Sequence, residues 1–416
     1  MSLISATNPW LGLRPSHWRE ARVGYVARIR TGGTPERANL AYWENGTIPW
    51  IASGEVNKKI IYDTDAKITR AAVRDSNAKP LPPNSVMIAL NGQGKTKGTV
   101  AILKIEATCN QSLAAIIPDP QKLHYRYLFW YLESRYRDIR GLVGEDREGL
   151  NLTHIRGLGV YIPPLAEQIA IADFLDLETA RVDSLIGGYQ RLVELLREEV
   201  ASQVLSSVTA ATTRELRLGV VARVISRPVI QKEGQFYTPV GIFNRGRGLF
   251  HKAAREMADM GDSEFFWLEE GDFIISGQFA WEGAIALAGE EDSGCVVSHR
   301  YHVLRGKDGA ALTEYLLALM STTYGDFLLN ENSRGAAGRN RPLNINSLLK
   351  EKIPVPDHQV QQKVASAIHC NKRLFTETSK QIRRLREYRF ALINAAVTGQ
   401  IDVRTYRAKE AAAVCQ

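Results

Sequence analysis

The strongest chemical candidate in this sequence is Ala89-Leu90-Asn91-Gly92-Gln93-Gly94-Lys95-Thr96, a glycine-rich run closed by a lysine and a threonine. In a phosphate-binding P-loop, such a run cradles phosphates with backbone N–H groups while the lysine reaches the terminal ones. That chemistry requires a helix directly after the Lys-Thr pair, so that its unpaired N–H groups and dipole face the anion. Here Lys97-Gly98-Thr99 leads instead into Val100-Ala101-Ile102-Leu103, a β-type run. The stretch therefore reads as a hairpin turn that puts Lys95 and Lys97 on a loop able to approach a phosphate backbone. A P-loop NTPase with coiled-coil arms is the competing expectation.

No other catalytic pattern survives. The chain has no GxSxG, no HExxH and no paired Cys/His set. It also lacks the glycine-rich cofactor loop and the Asn-Pro-Pro-aromatic or Pro-Cys element of a DNA methyltransferase. No metal site is expected, and His299 and His302 read as structural residues of a strand. The four cysteines are scattered without a CxxC pair, which suits a reducing cytoplasm. No apolar run approaches the ~18 residues of a membrane span, and residues 1–10 do not read as a signal peptide.

Basic loops point to a polyanion. The net charge is +8 and the pI about 9.2. Arg334-Gly335-Ala336-Ala337-Gly338-Arg339-Asn340-Arg341 gathers three arginines and an asparagine on small residues, and Asn244-Arg245-Gly246-Arg247-Gly248 does so on a shorter loop. Arginine and asparagine can make bidentate contacts to guanine and adenine edges, while lysine mostly engages phosphate. In the first half the long arginine loop is replaced by Gly144-Glu145-Asp146-Arg147-Glu148-Gly149, which is mainly acidic. The candidate DNA contacts are thus Lys95, Lys97, Arg147, Arg245, Arg247, Arg334, Arg339, Asn340 and Arg341. Ordinary solvated loops are the alternative at each position.

The elements that must position these loops occur twice. Arg19–Arg28 returns as Arg214–Arg223, 195 residues later. Leu150-Asn151-Leu152 returns as Leu343-Asn344-Ile345 and Gln168 as Gln361, both 193 residues later. The expected fold is α+β: two similar mixed globular domains at 1–162 and 211–355, each followed by a long helix. Helices are expected over Tyr125–Arg140 and Tyr315–Leu329 inside the domains.

The long segments, 163–210 and 356–404, show heptad spacing, leaving a tail at 405–416. The seam residues are Ile171, Leu175, Val182, Leu185, Tyr189, Leu192 and Leu196 in the first, and Val364, Ile368, Phe375, Ile382, Leu385 and Leu392 in the second. Glu178, Asn371, Thr378 and Arg389 are imperfect seam positions. Residues 165–208 carry eight acidic and three basic side chains, and residues 357–397 the reverse. Opposite charge over a shared apolar seam predicts an antiparallel coiled coil. At ~1.5 Å per residue it forms a rod of ~60 Å with a domain near each end. Gly187-Gly188 is a place where the first helix could bend.

Several motifs resemble the specificity (S) subunit of type I restriction-modification systems. They are Thr31-Gly32-Gly33-Thr34-Pro35, Ile48-Pro49-Trp50-Ile51, Asn110-Gln111-Ser112, Ile162-Pro163-Pro164-Leu165-Ala166-Glu167-Gln168 and Ala396-Val397-Thr398-Gly399-Gln400-Ile401-Asp402. The second copy departs locally, with Pro356-Asp357-His358-Gln359-Val360-Gln361 in place of the Pro-Pro-Leu-x-Glu-Gln element. The resemblance implies a non-catalytic, cytoplasmic chain whose two target recognition domains each read half of a bipartite double-stranded DNA site, with Thr34 among the contacts. It implies a coiled coil that sets the spacer and docks two modification (methyltransferase) subunits, and it leaves open two restriction subunits. S-adenosylmethionine, ATP and Mg2+ would belong to those partners, with no cofactor on this chain. A stand-alone DNA-binding scaffold is the remaining alternative.

Overall fold

Unbroken apolar runs such as Val86–Ala89 form strands buried on both faces, and they organise each of two compact units. The computed structural model describes all residues except 1–2, 7–10, 93, 144–147, 209–212, 231, 233, 247, 262, 334, 336–340 and 405–416. Unit 1 comprises Met1–Ile186 with Ile382–Gln416, and unit 2 comprises Gly187–Gln381. Both mix helices and strands.

In unit 1 the central sheet runs Ala27–Thr31, Leu113–Pro118, Val86–Ala89, Val100–Leu103, Ile60–Ile61. All neighbours are antiparallel except the last pair. The two-residue alternation of a strand sends Val86, Ile88, Val100 and Ile102 into one core with Tyr127, Leu128 and Tyr131 of the helix Tyr125–Ser134. Met87, Ala89, Ala101 and Leu103 enter the opposite core with Ile51, Val56 and Leu81. Cover on both faces is why these strands lack the usual apolar–polar alternation.

Unit 2 has a sheet of the same order, Ala222–Ile225, Tyr301–Gly306, Phe273–Ser276, Ile285–Leu287, antiparallel throughout. Phe273, Ile275 and Leu304 pack with Tyr315, Leu316 and Leu319 of the helix Thr313–Met320. Ile274 and Val303 face Val240, Leu268 and Val297. The carboxylate of Asp272, fully buried, is held by Arg227 Nη1 at 2.8 Å and Arg305 Nε at 2.7 Å. It also accepts the Glu269 N–H at 2.9 Å.

Two buried glutamines do the same work in the two units. Gln168 accepts the His124 N–H at 2.7 Å and donates to the Pro163 and Lys122 carbonyls at 2.9 Å. Gln361 accepts the Leu312 N–H at 2.7 Å and donates to Pro356 at 2.9 Å and Ala310 at 3.3 Å. Each thereby ties the first turn of a long helix to the segment ahead of the domain helix. Buried backbone groups need such partners, which explains a glutamine rather than an apolar residue at these positions.

The domain helices are each broken once. Tyr125–Ser134 is followed by Tyr136–Gly141, with Arg135 leaving the helical region at ψ 10°. Thr313–Met320 is followed by Thr323–Glu331, where Thr322 accepts from Gly325 N as an N-cap. The i, i+4 spacing persists across both breaks, so periodicity alone merges each pair into one helix.

The long helices are Leu165–Val208, continuous through Gly187-Gly188, and His358–Val397. On the second, Val364, Ile368, Asn371, Phe375, Thr378, Ile382, Leu385, Arg389 and Leu392 are all buried or half-buried. On the first, Ile171, Leu175, Glu178 and Val182 are buried, and Tyr189 and Leu196 half-buried. Leu185 and Leu192 are corrected: they are 56% and 39% exposed. The half-buried line passes through Ile186 and Val193 instead. From Val182 a heptad seam steps four, then three, so the conspicuous leucines fall one position short of it.

In unit 1, Ile171, Phe174 and Leu175 share a core with Ile393, Ala396 and Val397, and Arg389 pairs with Asp183 at 3.0 Å. In unit 2, Asn371 donates to the Leu196 carbonyl at 3.0 Å, and Val204 packs in one cluster with Val364 and Ile368. Among the described residues no helix is long and apolar enough to cross a membrane.

Candidate nucleic-acid interface

The glycine-lysine run of unit 1 closes a hairpin. Gly98 N–H donates to the Ala89 carbonyl at 2.9 Å and Ala89 N–H to Thr99 at 3.0 Å, joining Val86–Ala89 to Val100–Leu103. Gly92, Gly94 and Gly98 take positive φ angles of 143°, 65° and 83°, which side chains disfavour. No helix follows Lys95-Thr96, so the turn offers none of the aligned N–H groups that a nucleotide phosphate requires. The P-loop expectation is thereby overturned.

Three further loops converge on this turn. Leu150 N–H donates to the Leu90 carbonyl at 2.9 Å, and Leu90 N–H to Ser112 at 2.9 Å. From the helix Tyr136–Gly141, Tyr136 Oη donates to the Lys95 carbonyl and Arg140 Nη1 to that of Gly94, both at 2.7 Å. The Thr31–Pro35 loop arrives through Gly33 N–H to the Cys109 carbonyl at 2.9 Å. Gly32 lies so close to that strand that an added Cβ would sit 1.8 Å from the Cys109 oxygen. Burial pushes the Cys109 thiol up to about 12 against the opposing Gly32 N–H, so it stays protonated and inert. Thr34 Oγ1 donates to Gln111 Oε1 at 2.7 Å, making the motif threonine a positioning residue for an exposed carboxamide.

Unit 2 assembles a cluster by the same bonds. Leu343 N–H donates to the Gly277 carbonyl at 2.8 Å, and Gly277 N–H to Arg300 at 2.7 Å. The turn after Phe273–Ser276 receives the 244–246 loop through Arg245 N–H to Glu282 at 3.1 Å and Gly246 N–H to Gly283 at 2.9 Å. Asn244 donates to the Glu282 carboxylate. Arg341 lies over the Trp281 ring at 5.3 Å. Arg341 and residues 244–246, from two basic loops far apart in the sequence, thus meet at one turn. In the adjoining strand Tyr301–Gly306, burial raises the Tyr301 phenol, opposed by Arg300, and lowers the His302 imidazole.

The expected DNA contacts divide accordingly. Lys95 and Arg245 are exposed on the turns, and Thr34 is half-buried behind Gln111. Lys97 is corrected: it is 2% exposed and its ammonium donates to the Glu148 carbonyl at 3.0 Å. It fastens Glu148 to the turn, and a buried, engaged lysine cannot also neutralise a phosphate. Arg341 is half-buried, with Nε donating to the Ser333 carbonyl at 3.0 Å. Arg147, Arg247, Arg334, Arg339 and Asn340 lie outside the described residues. The sequence reading missed Gln111, Tyr136 and Arg140 in unit 1, and Gln278, Phe279 and Arg300 in unit 2. The repeat offers the missing signal, because Asn91 and Gln278 both stand two residues beyond the end of a fully buried strand.

These features define a mixed α/β protein that displays amide- and cation-bearing turns on rigid sheets. Its fold is shared with the crystallised type I restriction-modification S subunit of M. genitalium, with a TM-score of 0.52 at 15% identity over 95% of this chain and 99% of that one. A chain from a structure on complex assembly and conformational transition of the type I R-M system gives 0.58 at 15% identity, covering 93% and 99%. The family model of the type I restriction modification DNA specificity domain matches residues 15–185. The chain is 28% identical over 181 residues to the EcoR124I/EcoR124II specificity subunit of Escherichia coli, covering 42% of this chain and 45% of that one. It is 26% identical over 201 residues to the MjaIX specificity subunit of Methanocaldococcus jannaschii, covering 47% and 44%. The matches therefore span less than half the length of these relatives.

Proposed function

We propose that this chain is the DNA-recognition subunit of a type I restriction-modification complex, with one target recognition domain in each unit. Each domain reads one half of a bipartite double-stranded DNA site through the turns described above. The observation that carries the reading is the recurrence of one bonding scheme around two chemically different turns: Leu150 to Leu90 and Leu90 to Ser112 in one unit, Leu343 to Gly277 and Gly277 to Arg300 in the other. Matched scaffolds with unlike side chains suit two different half-site sequences.

The long helices pair as an antiparallel coiled coil that sets the spacer and docks two modification subunits, in a cytoplasmic complex to which two restriction subunits can be added. Support comes from Arg389 with Asp183 in unit 1 and Asn371 with Leu196 in unit 2, where in each pair the second half of one helix meets the first half of the other. The chain performs no chemistry itself. S-adenosylmethionine, ATP and Mg2+ act on the partner subunits.

Sequencing of methylated positions in DNA from cells expressing this chain with its modification subunit tests the reading. Two short specific blocks separated by a fixed, sequence-independent spacer are expected. A single continuous motif, or methylation without sequence preference, would contradict it.

A further inference from the structure

Beside the turn of unit 2 lies a cleft of about 390 Å³. Lys252, Arg255, Arg300, Gln278 and Phe279 line it, with Asp259 as its one carboxylate. None of the three cations has an ion pair among the described residues, whereas Arg227 and Arg305 of the same unit are held by Asp272 and Glu269. Lys252, Arg255, Gln278 and Arg300 are all exposed, and Phe279 is 42% exposed. A cationic, solvent-open cleft with an amide at its wall suits a ligand that combines phosphates with hydrogen-bonding edges.

Gln278 and Arg300 are held firmly. Ser276 pairs with Tyr301 across the sheet, and the next position is closed by Gly277 N–H to the Arg300 carbonyl at 2.7 Å. A Cβ on Gly277 would meet that same oxygen at 2.7 Å, so glycine is required for the approach. Both side chains therefore stand on the end of a sheet instead of a loose loop. The equivalent register in unit 1, Ala89 with Leu113 and then Leu90 N–H to Ser112, carries Asn91 where unit 2 carries Gln278. Asparagine and glutamine share the one pairing that distinguishes adenine, a bidentate bond to its N6 and N7, and arginine has the corresponding pairing with guanine O6 and N7.

We propose that this cleft seats the sugar–phosphate backbone of one half-site of double-stranded DNA, with Lys252 and Arg255 on phosphates and with Gln278 and Arg300 reading an adenine and a guanine. The proposal rests on the function proposed above and adds which residues fix the sequence read by unit 2.

The test uses the chain assembled with its modification subunit, scored by methylation-site sequencing and by binding to the selected site across salt concentrations. Gln278→Ala and Arg300→Ala each relax one position of one block, with about ten- to hundredfold loss of discrimination there and no change in the other block. Gln278→Glu, which keeps the side-chain size, shifts its position from adenine toward cytosine, whose N4 donates. The Lys252→Ala/Arg255→Ala double variant weakens binding to every sequence and lowers the salt slope by about two. A wild-type complex that selects no two-part site would overturn the proposed function itself. A wild-type two-part site left unchanged by all the Gln278 and Arg300 variants would overturn the base assignment alone. An unaltered salt slope in the double variant would overturn the phosphate assignment.

Discussion

Asp272→Ala is expected to destabilise unit 2 by about 3 kcal/mol, the lower end of the range for breaking a buried charge pair. The Asp272 carboxylate is fully buried and bridges Arg227 and Arg305, which are only partly exposed, so its loss leaves two guanidiniums sharing only the half-exposed Glu269 carboxylate. The Glu269 N–H also loses its acceptor. Because both arginines retain some contact with water, the full cost of an orphaned interior charge is not reached. Amide exchange of the strands Phe273–Ser276 and Tyr301–Gly306 reports the effect directly and should accelerate by about a hundredfold. Exchange in Val86–Ala89 of unit 1 should stay unchanged. A loss below about 0.5 kcal/mol would mean that the cluster behaves as an ordinary surface ion pair.

Gly32→Ala is expected to remove the sequence preference of unit 1 while sparing that of unit 2. The new methyl group would lie 1.8 Å from the Cys109 carbonyl oxygen and 2.6 Å from its carbon, both backbone atoms of a paired strand. Neither can swing aside as a side chain would, so the 31–37 loop must move. Overpacking of this kind costs about 1–3 kcal/mol. Displacement of the loop also breaks the Thr34–Gln111 bond that orients the exposed carboxamide. In methylation-site sequencing, one block should lose definition and the other persist. Gly157→Ala, where nothing lies within 4 Å of an added Cβ, serves as the neutral control. Retention of both blocks by Gly32→Ala would show that this loop has no part in reading.

Much of this architecture is written in the sequence because it depends on short-range rules. The β-type run Val100–Leu103 announces a strand, and the missing helix after Lys95-Thr96 distinguishes a hairpin from a nucleotide loop. The recurrence of Gln168 as Gln361 marks residues whose identical bonds emerge only in three dimensions. Other features were hidden for physical reasons. Lys97 is a surface residue by type, and only the fold of 148–150 over the turn buries it. Leu185 and Leu192 satisfy a loose heptad, but the half-buried line runs one residue further on, through the less conspicuous Ile186 and Val193. The cleft of unit 2 draws Lys252, Arg255, Gln278 and Arg300 from three separate stretches of chain, and no local pattern reveals such a meeting.

Independent reading by two heads, as proposed, is tested most directly by exchanging residues 1–162 for the corresponding domain of a specificity subunit it resembles and sequencing the methylated positions. One block of the recognised site should be replaced wholesale, while the second block and the spacing between the two stay as they were. Simultaneous change of both blocks, or of neither, would contradict it.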